Sequence, residues 1–263
     1  MTILQALILG IIQGITEFLP VSSSGHLEIA QYFLGLEDLH QYITFDLVTH
    51  LGTLCAIFVV YTTEIRGLFS GDLTRLKQII IGTLPLFPTL LILKPIESLY
   101  NQPHLLGFFF IATSALLYAG IRWGYEKSSS ERKKSWWRDA FVIGIFQALA
   151  LIPGVSRSGS TISGARLLGW EKQEAVTFSF LLAIPAIIGG TCLKIFQFIV
   201  LGENHYAPLT LFHYLTGFVT AFFVGYLALL LLIRLASKEK FMYFVWYCLL
   251  LGLAVSSYFY IKL

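Results

Sequence analysis

Charge is what this chain has little of: Asp, Glu, Lys and Arg make up 13% of its 263 residues, about half of the roughly 25% usual in a soluble domain. Hydrophobic residues reach 56%, and a chain of that balance cannot hide its apolar surface from water by folding on itself. An ordinary soluble enzyme is excluded. The net charge of +3 is small, and nucleic acid is not among the expected partners. Cysteine is equally sparse. Cys55, Cys192 and Cys248 sit in apolar stretches without CxxC or Cys/His spacing, which argues against a disulfide framework or a structural zinc and leaves them as packing residues. The N-terminal MTILQALILG has neither a basic n-region nor a small-residue cleavage pattern after it, so no removable signal peptide is expected.

What is there in abundance is long apolar sequence. Continuous runs cover about 42 to 63, 79 to 93, 104 to 121, 175 to 201, 209 to 233 and 241 to 261. At about 20 residues per crossing, they predict an all-α polytopic membrane protein with about six transmembrane helices. Before each trio of runs lies an apolar segment interrupted by proline. If each interrupted segment dips into the membrane and returns, the fold has six crossings and two re-entrant hairpins. Alternate loops then collect nearly all Lys and Arg on one face, with essentially Lys94 and Lys262 on the other, which the positive-inside rule reads as cytoplasm against exterior. Both termini and the loop Glu203 to Pro208 are expected outside. The basic, Ser-rich stretch 126–139 is expected to be a solvated cytoplasmic linker.

The two interruptions resemble each other. QGITEFLPVSSSGH (Gln13 to His26) is echoed by QALALIPGVSRSGST (Gln147 to Thr161). Ala6, Gly10, Gln13, Ser22, Ser24, Gly25 and Gly35 have counterparts at Ala140, Gly144, Gln147, Ser156, Ser158, Gly159 and Gly169, each 134 positions on. The chain therefore divides into a first repeat (1–125), the linker (126–139) and a second repeat (140–263) within one membrane domain. An odd number of crossings per repeat inverts the second relative to the first, so that the tips of the two hairpins can meet near mid-membrane. Small residues at four-residue spacing, Gly10 with Gly14 and Gly144 with Ala148, permit close helix approach.

Irregular backbone at membrane depth survives only where protein buries it or where it lines a wet cavity. Each break runs into hydroxyls and glycines that suit a helix N-terminus. Free N–H groups and the positive dipole end make such a terminus an anion site. Ser22, Ser24, Gly25, Ser156, Ser158, Gly159 and Thr161 are thus candidate phosphate-binding residues, with Gln13 a further candidate substrate contact, although serines and glycines at helix breaks also serve simply to cap and pack. Arg157 adds a planar fork suited to phosphate oxygens. Glu17 stands in an apolar run, where an ionisable group costs at least about 2.5 kcal/mol, and such a group is functional by default. His26, beside Glu17 and Ser23, is a candidate acid, base or nucleophile. Asp46, His50, Glu174 and Lys194 are polar groups in or near spans that either pair structurally or assist the site. His40, His104, His205 and His213 look peripheral.

Taken together, these residues resemble the bacterial undecaprenyl-diphosphate phosphatase family, also called the bacitracin resistance protein family. The marks are a (Glu/Gln)-x-x-x-Glu element leading into a Ser-Gly-His run, here Gln13, Glu17, Ser23 and His26, and a PGxSRSGxT element, here Pro153 to Thr161. The resemblance covers essentially the whole chain. It implies an inner-membrane enzyme that hydrolyses undecaprenyl diphosphate to the monophosphate carrier of cell-wall synthesis, its site open to the outer side. It also implies a divalent metal, Mg2+ or Ca2+, for which Glu17 and Gln13 are the candidate ligands. Here the first position of the acidic element is Gln13, leaving Glu17 as its only carboxylate. Glu17, Ser23, His26 and Arg157 are the catalytic candidates, with either Ser23, activated by His26, or His26 itself as nucleophile. Membrane lipids and a homodimer complete the expected partners. A transporter or flippase of an anionic prenyl lipid is the alternative, since inverted repeats with broken helices are also transporter architecture.

Overall fold

The computed structural model describes residues 1–36, 39–70, 73–92, 95–96, 99, 102–201, 209–237 and 240–262, and every regular element among the described residues is a helix. In chain order these are α1 (Ile3–Phe18), α2 (Ser23–Phe33), a 3-10 turn (Leu39–Tyr42), α3 (Ile43–Val60), α4 (Thr62–Gly67), α5 (Thr74–Thr83), α6 (Leu86–Thr89) and a second 3-10 turn (Leu90–Ile92). Then follow α7 (Pro103–Arg122), α8 (Ser129–Leu149), α9 (Arg157–Leu167), α10 (Lys172–Leu201), α11 (Leu211–Ser237) and α12 (Met242–Lys262). Among the described residues six segments are long and apolar enough to cross a membrane: Ile43–Val60, Thr74–Ile92, His104–Arg122, Lys172–Gln197, Leu211–Ala236 and Met242–Ile261. They match the six apolar runs. Their outer faces carry large side chains such as Phe87, Leu91, Phe212, Leu227, Trp246 and Leu250, which suits contact with lipid rather than water.

Two details depart from the sequence reading. The run expected at 79 to 93 begins at Thr74 and is broken at Leu84 and Pro85, because proline removes a backbone donor and obstructs the preceding turn. The stretch 126–139 is non-helical only at its start, and even there Glu126 Oε1 accepts from Arg166 Nη1 (3.1 Å) and Lys127 N donates to Gly169 O (2.8 Å). From Ser129 it is already α8, and Asp139, fully buried, binds Lys127 Nζ (3.1 Å), Ser135 Oγ (2.9 Å) and Trp170 Nε1 (3.3 Å). A buried carboxylate needs such donors, and they tie the connector to the chain that follows α9. Lys94, the loop Glu203 to Pro208 with His205, and Lys238 lie outside the described residues.

Packing is exchanged between the two halves of the chain. α1 lies along α11, α8 along α5, and α7 along α12. Glycines set the first two contacts: a Cβ on Gly10 would come within 2.9 Å of Gly217 O, and one on Gly14 within 2.8 Å of Gly225 N. A Cβ on Gly144, the counterpart of Gly10, would collide with Gly82 O. Backbones approach this closely only where side chains are absent. α2 packs on α1, and α9 on α7, α8 and α10. Both short helices end alike, on Gly35 (φ +72°) and Gly169 (φ +85°). In each, the glycine and the residue after it donate back to the last turn (Gly35 N to Tyr32 O, 3.1 Å; Leu36 N to Gln31 O, 3.0 Å; Gly169 N to Arg166 O, 3.0 Å; Trp170 N to Ala165 O, 3.0 Å). Left-handed glycine at that position is the usual solution for such an end, and here it recurs at the repeat spacing.

Candidate active site

The breaks α1/α2 and α8/α9 are built on the same cap. Ser22 Oγ accepts from Gly25 N (3.4 Å) and lies 3.3 Å from Ser24 Oγ. Ser156 Oγ accepts from Gly159 N (3.1 Å) and lies 3.3 Å from Ser158 Oγ. These hydroxyls satisfy first-turn donors that would otherwise be orphaned. The turns themselves meet. Ser158 Oγ donates to Leu19 O (3.2 Å), a Cβ on Gly25 would lie 3.1 Å from Gly154 Cα, and one on Gly159 would lie 3.5 Å from Pro20 Cβ. Thr113 on α7 pins the second turn, donating to Gly154 O (3.0 Å) and accepting from Ser156 N (3.0 Å).

Glu17 is the centre on which both breaks converge. Its side chain is 5% exposed. Oε2 accepts from Ser23 Oγ (2.7 Å) and Gln13 Nε2 (3.0 Å), while Oε1 accepts from Arg157 Nη2 (2.6 Å). Ser23 and Arg157 are the first residues of α2 and α9, so one N-terminal residue from each repeat reaches the same carboxylate. Arg157 Nη1 also donates to Ser179 O (3.4 Å), and Thr161 Oγ1 bonds Arg157 O (2.9 Å) and the Ser179 hydroxyl (2.5 Å). Taking Glu17 away would leave a buried guanidinium uncompensated, a loss of about 3 to 5 kcal/mol.

His26 is placed differently from the expectation that it addresses Ser23. Its Nδ1–H donates to Ser22 O (2.7 Å), and its Nε2 accepts from Tyr247 Oη (2.7 Å). Its ring stacks on Tyr247 (centroids 5.7 Å, 7°) and meets Phe110 edge-on (5.2 Å). Both nitrogens are thus taken by groups other than Ser23 and Glu17. The acceptor for the Ser23 proton is Glu17.

Sequence reading left His50 undecided; the structure brings its Nε2 to 3.5 Å from Glu17 Oε2. The signal was available, because Asp46 and His50 stand one helical turn apart in an apolar span. Tyr247 and Thr113 were missed altogether. They are themselves 134 positions apart, and each serves the break of the opposite half.

The oxygens for a divalent ion can be tested on this geometry. Gln13 Oε1 is buried without a hydrogen-bond partner among the described residues, beside the Glu17 carboxylate. Among the described residues no three His, Cys, Asp or Glu side chains gather around one point. The set fits an ion held by one carboxylate and one amide oxygen and completed by substrate oxygens and water, as Mg2+ commonly is.

A sequence profile described as "Bacitracin resistance protein BacA" matches residues 6–254. The chain belongs to this family. Among its relatives, the undecaprenyl-diphosphatase of Protochlamydia amoebophila (strain UWE25) is 51% identical over 259 residues, which cover 98% of this chain and 99% of that protein. The undecaprenyl-diphosphatases of Christiangramia forsetii (40%, 97% of each chain) and Treponema denticola (38%, 98% of each chain) are similar over the same extent. Family membership therefore spans both breaks, and the residues around Glu17 belong to the matched region.

Proposed function

We propose that this chain is an integral membrane phosphatase that hydrolyses undecaprenyl diphosphate to undecaprenyl phosphate and inorganic phosphate, returning the lipid carrier to cell-wall synthesis. The observation that carries the reading is the double engagement of Glu17, by a hydroxyl at 2.7 Å and a guanidinium at 2.6 Å, at the meeting of two helix N-termini. Phosphoryl transfer asks mainly for positioning and charge neutralisation. Arg157 turns from Glu17 to the terminal phosphate, and the first-turn N–H groups of α2 and α9 add their dipole ends. Ser23 Oγ attacks phosphorus as its proton passes to Glu17. The bond from phosphorus to the bridging oxygen breaks, undecaprenyl phosphate leaves, and water then releases phosphate from the serine. A divalent ion held by Glu17 and Gln13 would supply charge neutralisation at the phosphate oxygens.

One observation favours a second assignment within the same activity. With Nδ1–H fixed on Ser22 O, Nε2 is the His26 nitrogen that can attack phosphorus once Tyr247 Oη releases it. Rapid quench with labelled substrate separates the two, since phosphoserine survives acid and phosphohistidine does not. An acid-stable adduct lost in Ser23→Ala supports the serine; an acid-labile one lost in His26→Ala transfers the role.

A carrier of anionic prenyl lipid would need donors and charge but no hydroxyl beside a base, and the relatives' names weigh for hydrolysis. Phosphate release from undecaprenyl diphosphate by the purified chain, with and without chelator, tests the activity. No release under any divalent ion would sink it. We further propose that the two breaks are re-entrant and the halves inverted, as the exchanged packing of α1 on α11 and α8 on α5 supports, with the site facing outward in a bacterial inner membrane. Ser130→Cys should resist an impermeant thiol reagent on intact cells while Asn204→Cys reacts, in a background lacking the native cysteines. The opposite pattern reverses the orientation.

A further inference from the structure

We propose that His50 is a third protein ligand of the divalent ion, joining Gln13 and Glu17 through Nε2, and that it biases the site toward nitrogen-accepting ions such as Mn2+ over Ca2+. The inference rests on the reading of Gln13 and Glu17 as ion-holding residues. It starts from the orientation of the His50 ring. His50 Nδ1 lies 2.7 Å from Asp46 O, and a carbonyl only accepts, so Nδ1 carries a proton and Nε2 is the nitrogen turned to the site. Nε2 lies 3.5 Å from Glu17 Oε2. A nitrogen and a carboxylate oxygen at that separation share a cation, which is a proton in a simple ion pair and a metal ion when one is bound.

Ligands about 2.1 to 2.4 Å from one ion and at right angles to each other are roughly 3.0 to 3.4 Å apart, so a pair 3.5 Å apart would seat an ion at slightly more than a right angle. An imidazole held by a carbonyl through its other nitrogen is also how proteins orient a metal-binding histidine. The Asp46 carboxylate does not compete for the ring's proton, since Gln31 Nε2 occupies it at 3.0 and 3.2 Å. The third donor is Gln13 Oε1, a buried oxygen without a hydrogen-bond partner among the described residues; rotation of that amide would exchange its Nε2 bond to Glu17 for an oxygen facing the ion. Two oxygens and one imidazole nitrogen suit Mn2+ better than Ca2+, which prefers oxygen throughout.

The test reads the ion directly. Mn2+ is titrated into the purified full chain, free Mn2+ is followed by its electron paramagnetic resonance signal, and the bound ion is examined by electron spin echo modulation for nitrogen-14 coupling. Wild type should bind Mn2+ with imidazole coupling. His50→Gln should still bind but lose that coupling and about tenfold in Mn2+ affinity, while Ca2+ competition changes by less than about twofold. Glu17→Gln should lose both ions. Coupling that persists in His50→Gln, bound Mn2+ without coupling in wild type, or no Mn2+ binding by wild type would each overturn the assignment; the second result would leave His50 as a simple ionic partner of Glu17. Hydrolysis is measured on the same preparations. Turnover without His50-dependent coupling sinks this inference alone, whereas coupling without turnover sinks the phosphatase reading alone.

Discussion

The two helix breaks share a frame and divide the chemistry. Ser22 with Gly25 and Ser156 with Gly159 make the same cap, and Gly35 and Gly169 the same helix end. Yet the position of Glu17 is occupied by Leu151 in the second copy, and that of Ser23 by Arg157. One break carries the acid and the other the guanidinium, and they close on each other at 2.6 Å. The two helix ends share a cap and bear opposite charges. Neither half holds a complete site. The exchanged packing is what completes it, since α1 and α8 each rest on a helix of the other half.

The largest expected effect comes from making the first break imitate the second. Glu17→Leu copies Leu151, removes the acceptor of the Ser23 proton and leaves Arg157 buried without its counter-charge. Phosphate release should fall by at least about 10^3, and unfolding stability by about 3 to 5 kcal/mol. Adding Arg157→Leu should recover much of the stability and none of the activity, because replacing a buried pair by apolar groups is often neutral. If the double variant is as unstable as the single one, the pair is not what holds the two breaks together.

Arg157→Lys should cost less. The charge survives and Glu17 retains a partner, but one ammonium cannot present the planar fork to phosphate oxygens. A loss of about 10^2 in kcat/KM is expected, of the size seen when one preorganised donor is removed, with the protein still purifying as a folded species. Near-normal turnover would mean that the arginine supplies only field.

How much of this was legible in the sequence follows from which interactions are local. The spans, the 134-residue repeat and the caps were readable, because hydropathy and N-cap chemistry are written in neighbouring residues. Gln13 and Glu17 share a helix face by spacing alone. The partnership of Glu17 with Arg157, 140 positions away, was approachable only through the inverted-repeat argument. What the sequence hid were choices of direction: His26 could turn to Ser23 or to Tyr247, and His50 to lipid or to Glu17. Such choices are decided by packing from helices far along the chain. The stretch 126–139 misled because its charge and serines read as loop, whereas Asp139 is held inside by Lys127 and Trp170.

The smallest expected effect concerns strain, where the two breaks differ most quietly. Ser22 has φ +70°, the one non-glycine residue with positive φ among the described residues, whereas its counterpart Ser156 has φ −71°. In the second break the left-handed position falls on Gly154 (φ +85°), which adopts it without steric cost. A side chain held in so sparsely populated a region costs about 1 to 3 kcal/mol, and such strain gathers at functional sites. Glycine is nearly as good an N-cap as serine, a few tenths of a kcal/mol apart. Ser22→Gly should therefore relieve the strain and offset the added unfolded-chain entropy, leaving stability unchanged or raised by about 1 kcal/mol. Ser156→Gly has no strain to relieve and should lose about 1 kcal/mol. Activity should drop in Ser22→Gly by a few fold, since the strained turn aims Ser23 at Glu17 and its carbonyl holds His26. Thermal unfolding of both variants in one detergent, with phosphate release on the same samples, decides the point; equal destabilisation by the two substitutions would show that Ser22 is relaxed where it sits and that its geometry follows from packing alone.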